Sequence, residues 1–266
     1  MTVATSAIAL KKMGLVDYEE ALTLQRAFHG EIVEGKRPNT LILLEHPPVF
    51  TAGRRTIESE RPTDGSKVID VDRGGKITFH GPGQLVGYPI ITLKNGSDVV
   101  GFVRELEEAL ISVCNEFGIS AERYCERSGV WIRDMKGDRK IAAIGLRVAC
   151  GVTMHGFALN INPDLSYFDR IVPCGISDAH VTSLSAELGR DITITEVSPI
   201  VERHMYEKTV LVVYGRGSTE VWQEGQGKKQ TFEWQPYSMF SIPLNTFHRL
   251  VNATNQPAML LCGTSA

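Results

Sequence analysis

The chain predicts a mixed-sheet α/β (α+β) domain over residues 1–205, followed by a small all-β segment over residues 206–266. Three observations carry this. Strand-like apolar runs and amphipathic helical patterns alternate irregularly over the first two hundred residues, without the even spacing of repeated βαβ units. Residues 129–133 and 139–148 flank the tight polar stretch Met135-Lys136-Gly137-Asp138, the chemistry of a hairpin turn, so part of the sheet is antiparallel. After Met205 the helical periodicity stops, and short strand patterns at 210–214, 217–222, 239–242 and 258–261 alternate with turns.

The first helix is expected after Asp17, whose carboxylate can cap it, with Glu20 three residues on. Ala21, Leu24, Phe28 and Ile32 then recur at helical spacing, and Gly35 and Pro38 close the pattern. Thr40-Leu41-Ile42-Leu43-Leu44 is apolar at every position after the first, the mark of a strand buried on both faces. It leads into Glu45-His46-Pro47-Pro48-Val49-Phe50, and a polar loop over 54–66 precedes a strand at 67–72. The stretch Arg73-Gly74-Gly75-Lys76-Ile77-Thr78-Phe79-His80-Gly81-Pro82-Gly83-Gln84 is rich in glycine, so the backbone either turns tightly or admits a ligand closely. Gly81 and Gly83, with Gly87 just beyond the stretch, miss the dinucleotide fingerprint, and no Walker lysine motif occurs. A strand at 88–93 precedes a long amphipathic helix. Asp98 caps it, Phe102, Leu106, Ala109, Leu110, Val113 and Phe117 face inward, and Gly118 closes it. A further strand is expected at 153–162, with short helices at 182–188 and 195–205.

Composition narrows the function classes. The chain is 42% hydrophobic and 22% charged, ordinary for a soluble globular protein. A formal net charge of −3 gives no electrostatic pull toward nucleic acid or an anionic membrane. No apolar run approaches the length of a spanning helix. Cys114, Cys125, Cys150, Cys174 and Cys262 are odd in number and form no C-x-x-C pair. That argues against a disulfide framework or zinc knuckle and for a reducing cytoplasm.

Cys174 stands apart from the other thiols. It lies between Pro173 and Gly175, a rigid-then-permissive pair suited to a tight exposed turn, whose N–H groups can face a developing oxyanion. A thiol of ordinary pKa is only a few per cent thiolate at neutral pH and needs a nearby base or cation. His155 and His180 are candidates for that partner. Lys140 is a third: it begins a strand pattern in which Ala142, Ala143 and Gly145 are small, a setting in which a lysine is partly desolvated. The residue types alone leave all three open.

Three blocks together resemble the octanoyltransferases of lipoate biosynthesis: Arg73 to Gln84 as quoted, Lys140-Ile-Ala-Ala-Ile-Gly-Leu-Arg147, and His155-Gly-Phe-Ala-Leu-Asn160 followed by Ile171-Val-Pro-Cys-Gly-Ile176. The resemblance spans residues 15–205 and is nearest the actinobacterial type. It implies the fold of the biotin/lipoate protein ligase catalytic domain. It implies an octanoyl group taken from octanoyl-acyl carrier protein onto Cys174 as a thioester. A lysine of lipoyl domains, in 2-oxoacid dehydrogenase complexes and the glycine cleavage H protein, then receives it. Lys140 is implied to lower the thiol's pKa. Arg73, Gly74, Gly75, Lys76, Ile77, Thr78, Phe79 and His80, with Ala143, Ile144, Gly145, Gly156, Phe157 and Ala158, are implied to bind the acyl substrate. No cofactor or metal is expected.

The last sixty residues do not belong to that resemblance. Ser241 to Asn252, with His248, resembles the second motif of cupin barrels, but Tyr237 and Asn245 replace its glycines and the first motif is absent. A single histidine cannot hold a metal that needs three or four ligands. The segment is read as half a cupin-like barrel with open strand edges and no activity. The rival functions are an ATP-dependent lipoate or biotin ligase of the same fold, a non-catalytic module presenting carrier or lipoyl domains, and a metal-dependent cupin.

Overall fold

The computed structural model describes residues 8–93, 98–124, 127–171, 180–206, 208–222, 229–242, 247–254 and 256–264. Cys174, the expected nucleophile, lies outside the described residues.

Eight strands form the main sheet: β1 (Ala9–Leu15), β2 (Thr40–Glu45), β6 (Gln84–Ile90), β7 (Glu122–Tyr124), β8 (Arg127–Asp134), β9 (Gly137–Ala149), β10 (Val152–Asn160) and β11 (His180–Val181). Their order is β1-β2-β6-β10-β9-β8-β7, with β11 added beside β9. The β1–β2 and β9–β11 ladders are parallel and the rest antiparallel, so the sheet is mixed as expected. Between β2 and β6, β3 (Val49–Ala52), β4 (Val68–Asp70) and β5 (Thr78–His80) make a separate small sheet.

The alternation of β2 explains why it reads as a continuous apolar run. Leu41 and Leu43 enter one cluster with Leu106, Ala109, Leu110 and Val113 of helix α2 (Val99–Glu116) and Val197 and Val201 of α4 (Ile194–Tyr206). Ile42 and Leu44 enter another with Ala21, Phe28 and Ile32 of α1 (Tyr18–Val33). Side chains of a strand alternate between faces, and here each face is covered by helix. Both long helices start where their aspartates predict: the Asp17 carboxylate accepts from the N–H groups of Glu19 and Glu20, and that of Asp98 from Gly101 N–H at 2.8 Å. Ser183 likewise caps α3 (Leu184–Leu188).

Two expected strands shift, and two others were not expected. The strand placed at 88–93 runs over Gln84–Ile90, because Gly87 is a close-approach glycine and not a breaker: a Cβ there would lie 2.2 Å from the Phe157 ring. The strand expected at 67–72 shortens to Val68–Asp70. Edge strand β1, with Lys11 and Lys12, and the two-residue β11 escape the hydrophobic pattern altogether.

Beyond α4, β12 (Lys208–Tyr214), β13 (Gly217–Trp222), β14 (Gln230–Trp234), β15 (Met239–Ile242), β16 (Phe247–Asn252) and β17 (Met259–Thr264) form two three-stranded sheets, β15-β12-β17 and β14-β13-β16. β14 and β16 add to the four strands expected there. Trp234 is buried and donates its indole N–H to Thr219 Oγ1 at 3.2 Å. No helix among the described residues is long and apolar enough to cross a membrane.

Candidate active site

On the α1 face of the main sheet, β9 and β10 are paired so that Gly145 lies opposite Gly156 and Ala143 opposite Ala158. These four positions carry only hydrogen or methyl and line a cavity, with Arg73 packed against Gly145 and the Gly87 backbone against Gly156. The resulting cavity holds about 400 Å³, within the usual range for small-molecule sites. Val86 and Tyr88 of β6, Tyr18 of α1, Thr78 and His80 of β5, and the Arg73–Lys76 loop wall it. Arg55, Arg127 and Ser128 also line it. Lys140 borders it, only 7% exposed, five residues along β9 from Gly145, which is about 17 Å of strand.

Of the expected substrate-binding residues, Arg73, Gly75, Lys76, Thr78, His80, Ala143, Ile144, Gly145, Gly156, Phe157 and Ala158 line this one cavity together with Lys140. Ile77 and Phe79 do not: both point into a separate apolar cluster with Phe50, Phe168 and Ile171, alternating with Thr78 and His80. Gly74 is not in the lining either. Its N–H donates to Leu146 O at 2.9 Å, so it ties the loop to β9. His180, one candidate partner of the thiol, sits at the edge of β9 opposite Arg139 and is exposed. Its neighbour Val181 pairs with Lys140, and the Thr182 N–H donates to Lys140 O at 2.9 Å.

Arg73 is the structural hinge of the cavity wall. Its guanidinium donates to Thr51 O (2.8 Å), Thr51 Oγ1 (3.0 Å), Lys76 O (2.7 Å) and Gly74 O (3.1 Å). Gly53 and Gly145 leave the room: Cβ atoms there would stand 2.7 and 3.1 Å from Arg73 side-chain atoms. Arg73→Met should therefore cost about 2–4 kcal/mol, since buried acceptors lose charged donors, read as a fall in the urea midpoint.

A polar circuit extends from this arginine. His80 donates from Nδ1 to Gln84 Oε1 (2.7 Å) and its Nε2 faces Thr51 Oγ1 (3.3 Å). Gln84 Nε2 donates to Asn160 Oδ1 (2.8 Å), and Asn160 Nδ2 to Thr182 O (2.9 Å). Burial, with His46 and Arg73 adding repulsion, holds the His80 imidazole well below its usual pKa. His46 is pushed down to about 4 by burial; it contacts Val16 O through Nδ1 (2.6 Å) and the Tyr88 hydroxyl through Nε2 (2.7 Å). His155 falls to about 3 through burial and the nearby Arg73 and Arg147 charges. Its Nε2 is 2.8 Å from Asp72 Oδ1, a carboxylate also held by Arg147. Burial raises the phenols of Tyr18, to about 12, and Tyr88.

His46 and His80, whose ring nitrogens meet uncharged partners, are neutral in the fold and protonate more readily when unfolded. The unfolded chain thus binds more protons as acid is added, so stability is complete above about pH 6.5 and falls toward pH 4. At 1.36 kcal/mol per unit, His46 alone removes roughly 3 kcal/mol across that window. Urea midpoints should decline steadily from pH 7 to pH 4.5; a flat profile would contradict the neutral assignment.

Comparison with known proteins agrees with the geometry. The family described as the lipoyl protein ligase A/B catalytic domain matches residues 17–206. An octanoyltransferase of Salinispora tropica is 58% identical over 207 residues, covering 77% of this chain and 97% of that protein. One from Acidothermus cellulolyticus is 59% identical over 201 residues, covering 75% and 91%. The chain belongs to the octanoyltransferases. Its affinity is with the actinobacterial members, and its activity is octanoyl transfer in lipoate biosynthesis. The fold is that of lipoate-protein ligases. A bipartite lipoate protein ligase from Thermoplasma acidophilum superposes with a TM-score of 0.58 at 17% identity, over 75% of this chain and 82% of that one. A lipoate-protein ligase A bound with ATP gives 0.57 at 15% identity, over 74% and 83%. β12 to β17 lie beyond the family match.

Sequence reasoning did not single out Tyr18, Arg55, Val86, Tyr88, Arg127 or Ser128 as lining residues. Only the parity of β6 carried a signal: Val86 and Tyr88 share one strand face.

Proposed function

We propose that this octanoyltransferase works through a covalent thioester on Cys174, with Lys140 as the cation that activates the thiol. The observation that carries the reading is the placement of Lys140, nearly buried, at the border of a trough floored by Ala143, Gly145, Gly156 and Ala158. In the sequence Cys174 stands seven residues before Val181, the strand partner of Lys140.

The donor is octanoyl-acyl carrier protein. The Cys174 thiolate attacks the donor's thioester carbonyl; a new C–S bond forms, the donor's C–S bond breaks, and the departing thiolate takes the proton that Cys174 gave to Lys140. The lysine amine of a lipoyl domain, on a 2-oxoacid dehydrogenase complex or the glycine cleavage H protein, then attacks. The C–S bond to Cys174 breaks, an amide forms, and the amine's proton restores the thiol. Acyl exchange between thiols is nearly isoenergetic and amide formation is downhill, so no nucleotide enters. Burying the acyl tail in the trough is worth ~0.8 kcal/mol per methylene, roughly 5 kcal/mol in all.

Residues 1–205 are the catalytic domain in this reading. Residues 206–266 are a partial cupin-like β segment without a catalytic role, and the enzyme acts in the cytoplasm. Intact-protein mass spectrometry after one addition of octanoyl-acyl carrier protein should show a single octanoyl increment on Cys174, in the full chain and in a chain ending at Met205. Transfer without any such increment would overturn the covalent route.

A further inference from the structure

The Lys140 side chain leaves the sheet at an irregularity. β8 and β9 pair Val130 with Ala142 but Trp131 with Lys140, a slip in register between consecutive residues. Trp131 is 1% exposed and does not line the cavity, yet the Lys140 ammonium lies over its ring, 4.6 Å from the centroid. The ring is itself held, since its Nε1–H donates to Arg127 O at 3.3 Å and its edge meets Tyr124 at 5.8 Å between centroids. Gly129 completes the seat. It has φ +113°, and a Cβ there would stand 3.3 Å from Lys140 Cε and 2.5 Å from Ala142 O. Its N–H donates at 2.9 Å to Glu107, a fully buried carboxylate of α2. Three independent features, a register slip, a left-handed glycine and a fixed indole, converge on one lysine side chain.

We infer that Trp131 is a positioning residue for the acyl transfer: its indole face holds the Lys140 ammonium at the cavity border, in the room that Gly129 leaves open. This rests on the dyad proposed above. An ammonium over an aromatic face is attracted by the ring's quadrupole, most strongly for tryptophan and more so where water is scarce. The attraction fixes where the flexible lysine stem ends. Trp131 does not line the cavity and acts only through Lys140. Its effect should therefore fall on kcat and spare the KM for the donor.

Ring fluorination tests this with almost no change of size. The full chain is produced with mono-, di- and trifluorotryptophan, each fluorine drawing electron density from the ring face. Expected is a stepwise fall in kcat, about tenfold over the series, with KM for octanoyl-acyl carrier protein within about twofold. In a Trp131→Phe background the dependence on fluorine should vanish, because Trp222 and Trp234 then carry all the label. A kcat flat across the series, or an equal fall in the Trp131→Phe background, overturns the role. Fluorine-19 NMR reads the contact apart from turnover: the resonance that Trp131→Phe removes should shift in Lys140→Gln, and an unmoved resonance overturns the contact. Full activity of Lys140→Gln would overturn the dyad and this role with it. A flat series alongside an inactive Lys140→Gln overturns the role of Trp131 alone.

Discussion

Cys174→Ser should lower octanoyl transfer by ~10³-fold or more, with the fold intact by circular dichroism. A serine hydroxyl is not appreciably ionised at neutral pH, and a lysine matched to a thiol cannot make it so. Lys140→Ala should lower transfer by ~10²-fold, the scale of a lost proton-transfer partner, and should move the pH dependence of Cys174 alkylation upward toward that of a free thiol. The two effects should not add: Cys174→Ser with Lys140→Ala should be no slower than Cys174→Ser alone, because the residues act as one unit. Parental rates in Cys174→Ser would end the covalent proposal.

The second large effect concerns chain length. Ala143→Leu places three more carbons in the trough opposite Ala158. Each methylene of the acyl tail that no longer fits loses ~0.8 kcal/mol. The ratio of kcat/KM for octanoyl over shorter acyl donors should therefore drop roughly 30-fold, for a difference of about 2 kcal/mol. Competition between octanoyl- and hexanoyl-carrier donors, read by mass spectrometry of the acylated lipoyl domain, measures it directly. An unchanged ratio would show that the tail does not lie over Ala143.

What was legible in the sequence was whatever local chemistry dictates. Asp17 and Asp98 announce α1 and α2 because a carboxylate ahead of a helical apolar pattern has few other uses. The β8–β9 hairpin follows from its turn residues. Illegible parts depend on distant neighbours. Gly87 looks like a breaker, yet β6 runs through it, since the Phe157 ring lies where a side chain there would be. β11 is two residues long and exists only because β9 offers a free edge. Within the Arg73–His80 block the site was only half readable. The block as a whole resembles a substrate loop, while its alternation sends Ile77 and Phe79 to one side and Thr78 and His80 to the other. Period-two reasoning applied there would have divided them. Tyr18 of α1, His46 in the loop after β2 and Tyr88 of β6 are far apart in sequence, and only the fold brings their rings together. Cys174 was the reverse case, singled out by its neighbours in sequence and lying outside the described residues.

A floor of two glycines and two alanines has no torsions of its own to speak of. In the proposed reading its calibration is set by the spacing of hydrogen-bonded main chains in β9 and β10. Warming the enzyme should raise its turnover while leaving its preference among donor lengths almost unchanged, as a ruler engraved in metal keeps its marks when a rubber one would stretch.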